Sequence, residues 1–136
     1  MTFEKLHEDA IIPQYQTIGS AGLDLHSVEA AELAPGEWKL IPTGLALNLP
    51  RDTEGQVRPR SGLAAKHGIT VLNSPGTIDE DYKGEVKVIL YNASTSTFSI
   101  EKGDRIAQLV IAPVYKLSGY SLDNTREDQG FGSTGL

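Results

Sequence analysis

The sequence predicts an all-β domain, a sandwich or barrel of short strands carrying one short helix and an extended C-terminal arm. Three observations predict it. The apolar residues fall into short runs with period-two character, the pattern of a half-buried strand. Turn signals built from the 14 Gly and 7 Pro separate these runs at close intervals, the spacing of a sandwich or barrel. Only one segment, Ser61-Gly-Leu-Ala-Ala-Lys-His-Gly68, has a helical composition.

Each element follows from its residues. Trp38 to Pro50 alternates in part. Glu85 to Asn92 alternates and then becomes continuously apolar, which predicts a strand buried on both faces. Arg105 to Ala112 is similar. Between them lie Pro35-Gly36, the stretch from Pro50 to Gly55, Lys83-Gly84 and Lys102-Gly103-Asp104, all turn formers. In the helical segment Ser61 is the expected N-cap and Gly68 the expected stop, about two turns later. The last apolar strand should end near Tyr115. From Leu117 the chain becomes polar and rich in Gly and Ser. The predicted body is therefore residues 1–116, followed by an arm over residues 117–136.

Bulk composition narrows the chemistry. With 136 residues there is room for one core. A net charge of −6 argues against a general nucleic-acid binder, which would need a basic face. The absence of Cys excludes disulfides, thiolate metal sites and a Cys nucleophile, and suits a reducing compartment. The apolar run Leu109-Val-Ile-Ala-Pro113 is far too short to span a bilayer. The start, MTFEKLHEDA, has no apolar stretch after a basic one, so an intracellular, soluble protein is expected, with no membrane partner. His7, His26 and His67 lack metal-ligand spacing and read as structural or surface residues. Neither a P-loop nor a dinucleotide fingerprint is present.

Five stretches combine residues suited to chemistry, each with a plainer alternative. Arg58-Pro-Arg-Ser-Gly-Leu-Ala64 places two forked cations before a helix start, an arrangement that binds anions; the alternative is a capped surface helix with solvated arginines. Asn73-Ser-Pro-Gly-Thr-Ile-Asp-Glu-Asp-Tyr-Lys-Gly84 puts Asp79 on a predicted hairpin where it can hold a water as general base, with Tyr82 as a flat wall; the alternative is an acidic surface turn. Asp24 in Ser20-Ala-Gly-Leu-Asp-Leu25 can simply bond turn amides. Gln108 in Gly103-Asp-Arg-Ile-Ala-Gln-Leu109 reads in isolation as a satisfied core amide. The ending REDQGFGSTG, Arg126 to Gly135, suits neither strand nor helix and reads alone as a solvated terminus.

In order along the chain, Ala21-Gly-Leu-Asp-Leu25, Arg60-Ser-Gly-Leu-Ala64, Gly76-Thr-Ile-Asp-Glu-Asp-Tyr-Lys-Gly84, Gly103-Asp-Arg-Ile-Ala-Gln-Leu109 and Arg126 with Gly130-Phe-Gly-Ser-Thr-Gly135 resemble the five motifs of the trimeric dUTPases. Pro35-Gly36, Thr43-Gly44 and Pro50 also fit that family's early strands. The resemblance implies a jelly-roll subunit, a homotrimer with sites at subunit interfaces, and Mg²⁺-dependent hydrolysis of dUTP to dUMP and pyrophosphate. It also implies a role in keeping dUTP low and supplying dUMP for dTTP synthesis. It assigns Asp79 to activating the water, Tyr82 to the deoxyribose, and Asn73 with the neighbouring hairpin backbone to the uracil edge. Gly76, Ile78 and Lys83 join them in the substrate site. Arg60, Ser61, Gly62 and Gln108 would hold the phosphates, and Asp24 would reach the Mg²⁺ shell through water. Phe131 would stack on uracil, while Arg126, Gly132, Ser133 and Thr134 would close over the phosphates.

The arm is expected to be mobile in the empty enzyme and to close on substrate as a lid. Twenty extended residues span at most about 66 Å, against a radius of gyration of about 14 Å, so the arm can reach a neighbouring subunit. Ordering it costs about 1–2 kcal/mol per residue. One base stack returns only about 1–3 kcal/mol, so phosphate contacts must contribute. The chain departs from the family pattern here: Glu127 and Gln129 stand where glycines are usual, with Asp128 between them. Two acidic groups beside a triphosphate are expected to weaken closure. The alternatives on the same fold are a dCTP deaminase, including the bifunctional form, and a dUTP-binding regulator. The deaminase uses a different Arg/Ser-rich segment and a hairpin Glu.

Overall fold

The computed structural model describes residues 1–119. Its strands are β1 (Thr2–Lys5), β2 (Leu23–His26), β3 (Ala31–Leu33), β4 (Trp38–Pro42), β5 (Leu45–Asn48), β6 (Thr53–Arg58), β7 (Ile69–Val71), β8 (Gly76–Ile78), β9 (Lys87–Asn92), β10 (Phe98–Ile100) and β11 (Arg105–Pro113), with helix α1 (Ser61–His67) between β6 and β7. All pairings are antiparallel. One sheet has the order β2-β11-β6-β8, a second β4-β9-β7, and two ladders, β1-β5 and β10-β3, complete a jelly-roll-like fold.

Period two sorts the side chains. On β2, Leu23 and Leu25 are buried while Asp24 and His26 point to the other face. On β6, Gly55 and Val57 face inward. Val57 joins Val88, Leu90, Ile41, Ile69 and Leu109 in a single core, and Gly55 packs beside Leu109 and Ile78. Burying a Leu or Ile side chain contributes roughly 1.5–3 kcal/mol, and this core holds the site-bearing sheet in one register. Between Arg105 and Ala107 the β11–β2 register shifts. The irregularity lets adjacent Ile106 and Ala107 both be buried before alternation resumes at Gln108 and Leu109.

The Trp38–Pro50 run, which alternates in part, forms two strands, broken where Gly44 adopts φ +70°. Two expectations change here. β9 is not buried on both faces: Val88, Leu90 and Asn92 are buried, while Ile89 and Tyr91 lie half-buried on the outer face. There they pair with Leu40 and Trp38, both largely exposed. The satisfied core amide is Asn92 rather than Gln108. Asn92 is fully buried, donates Nδ2–H to the carbonyls of Leu33 (2.9 Å) and Ser96 (2.8 Å), and accepts from Ser94. Strand β11 ends at Pro113, just before the predicted limit, and the Val114 N–H donates to the Asp52 carbonyl. Among the described residues no helix is long and apolar enough to cross a membrane.

Candidate active site

The outer face of the four-stranded sheet gathers the polar residues of three motifs. Gln108 on β11 is the register partner of Asp24 on β2 and of Arg58 on β6, so the three form one row across the sheet. Asp24 is mostly buried and does not bond turn amides. Its carboxylate lies 3.9 Å from Arg60 Nε and 3.6 Å from Arg105 Nη1. Arg60 is the less exposed of the two and also donates to the Arg105 carbonyl (3.2 Å). A carboxylate beside two guanidiniums holds both cations near one place, which is where a polyanion would be received.

Gln108 is held from two sides. Its Nε2–H donates to the Pro59 carbonyl (2.9 Å). Its amide end presses on Gly22, where an added methyl would overlap Oε1 and lie 3.2 Å from Cβ and Cδ. A larger residue at 22 would therefore shift the Gln108 amide from this position. The helix start differs from expectation. Arg60, not Ser61, occupies the N-cap, and no side chain caps the turn. Ser61 is the first helical residue, so its hydroxyl is not committed to capping. The stop is as expected: Gly68 is left-handed at φ +65°, and its N–H donates to the Ala64 carbonyl (3.1 Å). An added Cβ at Gly62 would meet open space, so crowding within this chain does not explain that glycine.

Near this row, His26 on β2 has a buried Nδ1 with no hydrogen-bond partner. Burial, with Arg105 and Arg60 adding to it against Asp24, holds its pKa below the usual histidine value. The ring is neutral at neutral pH and adds no charge there. The other histidines are local: His7 Nδ1 accepts from the Asp9 N–H (3.0 Å), and His67 lies against Phe98 with centroids 5.4 Å apart.

The hairpin residues build a second feature. Asn73, Gly76, Ile78 and Tyr82 line a cavity of about 320 Å³ together with Pro75 and Glu85. The Ser74–Pro75 peptide is cis. Gly76 is buried, and a Cβ there would sit 3.3 Å from Asn73 Nδ2. Tyr82 donates its hydroxyl to the Glu85 carbonyl (2.7 Å). Pro75 also borders a more open hollow lined by Ser61, Arg58 and Gln108, so the two hollows share a wall. Lys83 is exposed and donates to the Glu80 carbonyl (3.4 Å) rather than lining the Tyr82 cavity.

Asp79 is exposed and lines neither hollow. It borders a third cavity with Asp52, Glu54, Glu80, Asp81 and Lys116. Glu80 ties this turn to the β5–β6 turn by accepting the Asp52 N–H (2.7 Å), where Asp52 takes φ +61°. One chain thus unites Asp24, Arg60, Ser61 and Gln108, and unites Asn73, Gly76, Ile78 and Tyr82, but sets Asp79 apart from both. Arg126, Phe131, Gly132, Ser133 and Thr134, with Glu127 and Gln129, lie outside the described residues.

A family model described as dUTPase matches residues 8–135. The chain belongs to the dUTPase family. It resembles the deoxyuridine 5′-triphosphate nucleotidohydrolases of Clostridioides difficile (52% identity, 98% of this chain and 96% of that one) and Nautilia profundicola (55%, 99% and 98%). That of Hydrogenobaculum sp. is 56% identical over 98% of this chain and 96% of its own. Among solved structures, a mutant dUTPase from phage phi11 of S. aureus, described with a coordinated structural Mg(II) ion, has a TM-score of 0.81 at 25% identity. It covers 91% of this chain and 97% of its own. This dUTPase-family chain is an enzyme. Sequence reasoning missed Arg105 as the second guanidinium on Asp24, Gly22 behind Gln108, and Glu85 behind Tyr82. Arg105 lay inside a quoted motif, but only cross-strand register brings it to Asp24.

Proposed function

We propose that this enzyme hydrolyses dUTP to dUMP and pyrophosphate. The observation that carries the reading is the row of Asp24, Gln108 and Arg58, with Arg60 and Arg105 on Asp24, beside an aromatic-walled cavity that shares Pro75 with it. Cations and amide donors suit a triphosphate, and a walled cavity of about 320 Å³ suits a nucleoside. Arg60, Ser61, Gly62 and Gln108 hold phosphates, and Asn73 and the backbone from Gly76 to Ile78 read the uracil edge. Cytosine is rejected because its reversed donors and acceptors would leave buried groups unpaired. The ring of Tyr82 closes against the 2′ position of the sugar. Asp79 takes the proton from a water whose oxygen bonds to the α-phosphorus, while the bond from that phosphorus to the bridging oxygen breaks and pyrophosphate leaves.

Among the described residues no three His, Cys, Asp or Glu side chains converge as metal ligands. A single mostly buried carboxylate, Asp24, fits Mg²⁺ held chiefly by phosphate oxygens and water, with Asp24 accepting from that water. When bound, the ion would spread the charge of the triphosphate.

Asp79 and the phosphate row lie on different hollows of one chain, which supports a site shared between copies. The outer face of β4-β9-β7 supports the same reading. Trp38 (57% exposed), Leu40 (47%) and Leu72 (48%) lie beside half-buried Ile89 and Tyr91, an apolar patch suited to a subunit interface. The proposed assembly is the homotrimer. Arg126, Phe131, Gly132, Ser133 and Thr134 of the arm close over base and phosphates, and the product supplies dUMP for dTTP synthesis.

The test is pyrophosphate release with Mg²⁺ from dUTP, dCTP, dTTP and UTP side by side, with ammonia followed in the dCTP sample. Release from dUTP alone is the expected result. Ammonia from dCTP would move the protein to deamination, and dUTP binding without turnover would move it to regulation. A second expectation concerns Gly22→Ala. The new methyl displaces the Gln108 amide, and losing one hydrogen bond to a charged phosphate raises KM for dUTP about tenfold or more. Steady-state kinetics beside a thermal melt checks it; an unchanged KM would remove Gln108 from the phosphate site.

A further inference from the structure

The wall that Tyr82 presents is tied down by a residue to which no role has been assigned. We propose that Glu85 is a positioning residue for sugar selection, holding the Tyr82 ring in place through a tether to the Thr43–Gly44 turn. The proposal rests on the reading of Tyr82 as the sugar wall.

The ring is anchored at both ends of a short loop. The Tyr82 N–H donates to the Asp79 carbonyl (3.1 Å), and its hydroxyl donates to the Glu85 carbonyl (2.7 Å). Between them stand Lys83 and Gly84, and glycine resists bending least. The ring packs against the core, and the carbonyl of residue 85 fixes its hydroxyl end. That residue is fixed from its side chain: Glu85 Oε2 accepts the Gly44 N–H (2.9 Å). The next residue is fixed from its backbone. Thr43 donates both Oγ1–H (2.6 Å) and N–H (3.2 Å) to the Val86 carbonyl, and the Val86 N–H donates to the Leu45 carbonyl (2.7 Å).

The turn at the far end of the tether is closely packed. Thr43 is fully buried. Gly44 sits at φ +70°, and a Cβ there would lie 2.9 Å from His7 Cβ and 3.0 Å from both Ala10 Cβ and Val28 Cγ1. Glu85 thus links the Lys83–Gly84 loop to a closely packed turn, and it lines the same cavity as the ring it steadies. Exclusion by shape requires a wall that does not yield. If the ring retreats by about an ångström, an added hydroxyl no longer clashes, and binding geometry at that scale governs rate strongly.

The experiment measures kcat/KM for dUTP and UTP on the full-length enzyme and on Glu85→Ala, Glu85→Gln, Tyr82→Phe and Tyr82→Ala. The dUTP/UTP ratio is expected to fall about three- to tenfold in Glu85→Ala and Tyr82→Phe, the effect of one lost hydrogen bond. It falls further in Tyr82→Ala. Glu85→Gln, whose amide oxygen still accepts from Gly44, restores the ratio to within about twofold. A merely structural role for Glu85 would lower both activities together and leave the ratio alone. An unchanged ratio in Glu85→Ala beside a lowered one in Tyr82→Ala overturns the proposal and spares the reading of Tyr82. An unchanged ratio in Tyr82→Ala overturns that reading first. Should Glu85→Ala not fold, Tyr82→Phe decides, because an unchanged ratio there removes the tether.

Discussion

Replacing Asp79 by Asn is expected to lower kcat by about 10²–10⁴-fold, the contribution of a positioned general base, while nucleotide binding stays within about threefold of the parent. The substitution keeps the size and shape of the side chain and removes its basicity. Asp79 is exposed, so no buried charge is lost and the fold should persist. It follows Ile78, the buried last residue of β8, and precedes Glu80, which is bonded to the Asp52 N–H. The backbone that aims the carboxylate is therefore fixed from both sides. Single-turnover rates and calorimetric binding of a non-hydrolysable dUTP analogue check the two halves of the expectation. Near-normal turnover would remove Asp79 as the base. Lost binding with lost turnover would make it a substrate ligand instead.

Ending the chain after Leu117 is expected to leave a folded, trimeric domain whose kcat/KM for dUTP has fallen by about a hundredfold or more. The folding half rests on where the core lies: among the described residues its buried apolar side chains run from Ala10 to Leu109, and none of them follows β11. The activity half rests on what the proposal assigns to the arm. A lost base stack costs about 1–3 kcal/mol, and each lost hydrogen bond to phosphate about 1.5–3 kcal/mol. Together these exceed the ~2.7 kcal/mol of a hundredfold change. Thermal melts, light scattering and kinetics measure the three properties separately. Full activity in the truncated protein would make residues 118–136 irrelevant to the reaction. A monomer would place the arm, rather than the apolar face of β4-β9-β7, at the interface.

Much of the molecule was legible in the residues. The β class, the helix at 61–67, its glycine stop and the end of the last strand followed from periodicity and turn chemistry, which are local properties. The motif order carried the family, and the family model matches residues 8–135. Misreadings arose where a local rule met a non-local competitor. Ser61 is a preferred N-cap type, yet Arg60 takes the position while its guanidinium reaches Asp24 and the Arg105 carbonyl. Apolar Ile89 and Tyr91 suggested a strand covered on both sides, whereas in one chain their face lies open beside Trp38.

Asp24 and Gln108 show where the boundary falls. Composition marked both as unusual polar residues among apolar neighbours, and the local reading was a turn-bonding Asp24 and a core amide at Gln108; in the structure both lie half-buried on the face opposite the core side chains. What they touch was decided by strand order: β2 and β6 flank β11, so residues distant in sequence become register partners, and Asp24 meets Arg60 and Arg105. By itself the sequence determined the strand content, the turn positions, the single helix and the identity of the chemical groups, because each depends on backbone preference and spacing within a few residues. Only the tertiary structure decided that Gln108 is wedged between Gly22 and Pro59, that Tyr82 is tied to Glu85 and Glu85 to Gly44, and that Asp79 opens onto a different hollow from the phosphate row. The reason is physical: those contacts follow from how antiparallel strands are ordered and how closely they pack, and a short-range pattern carries no record of either.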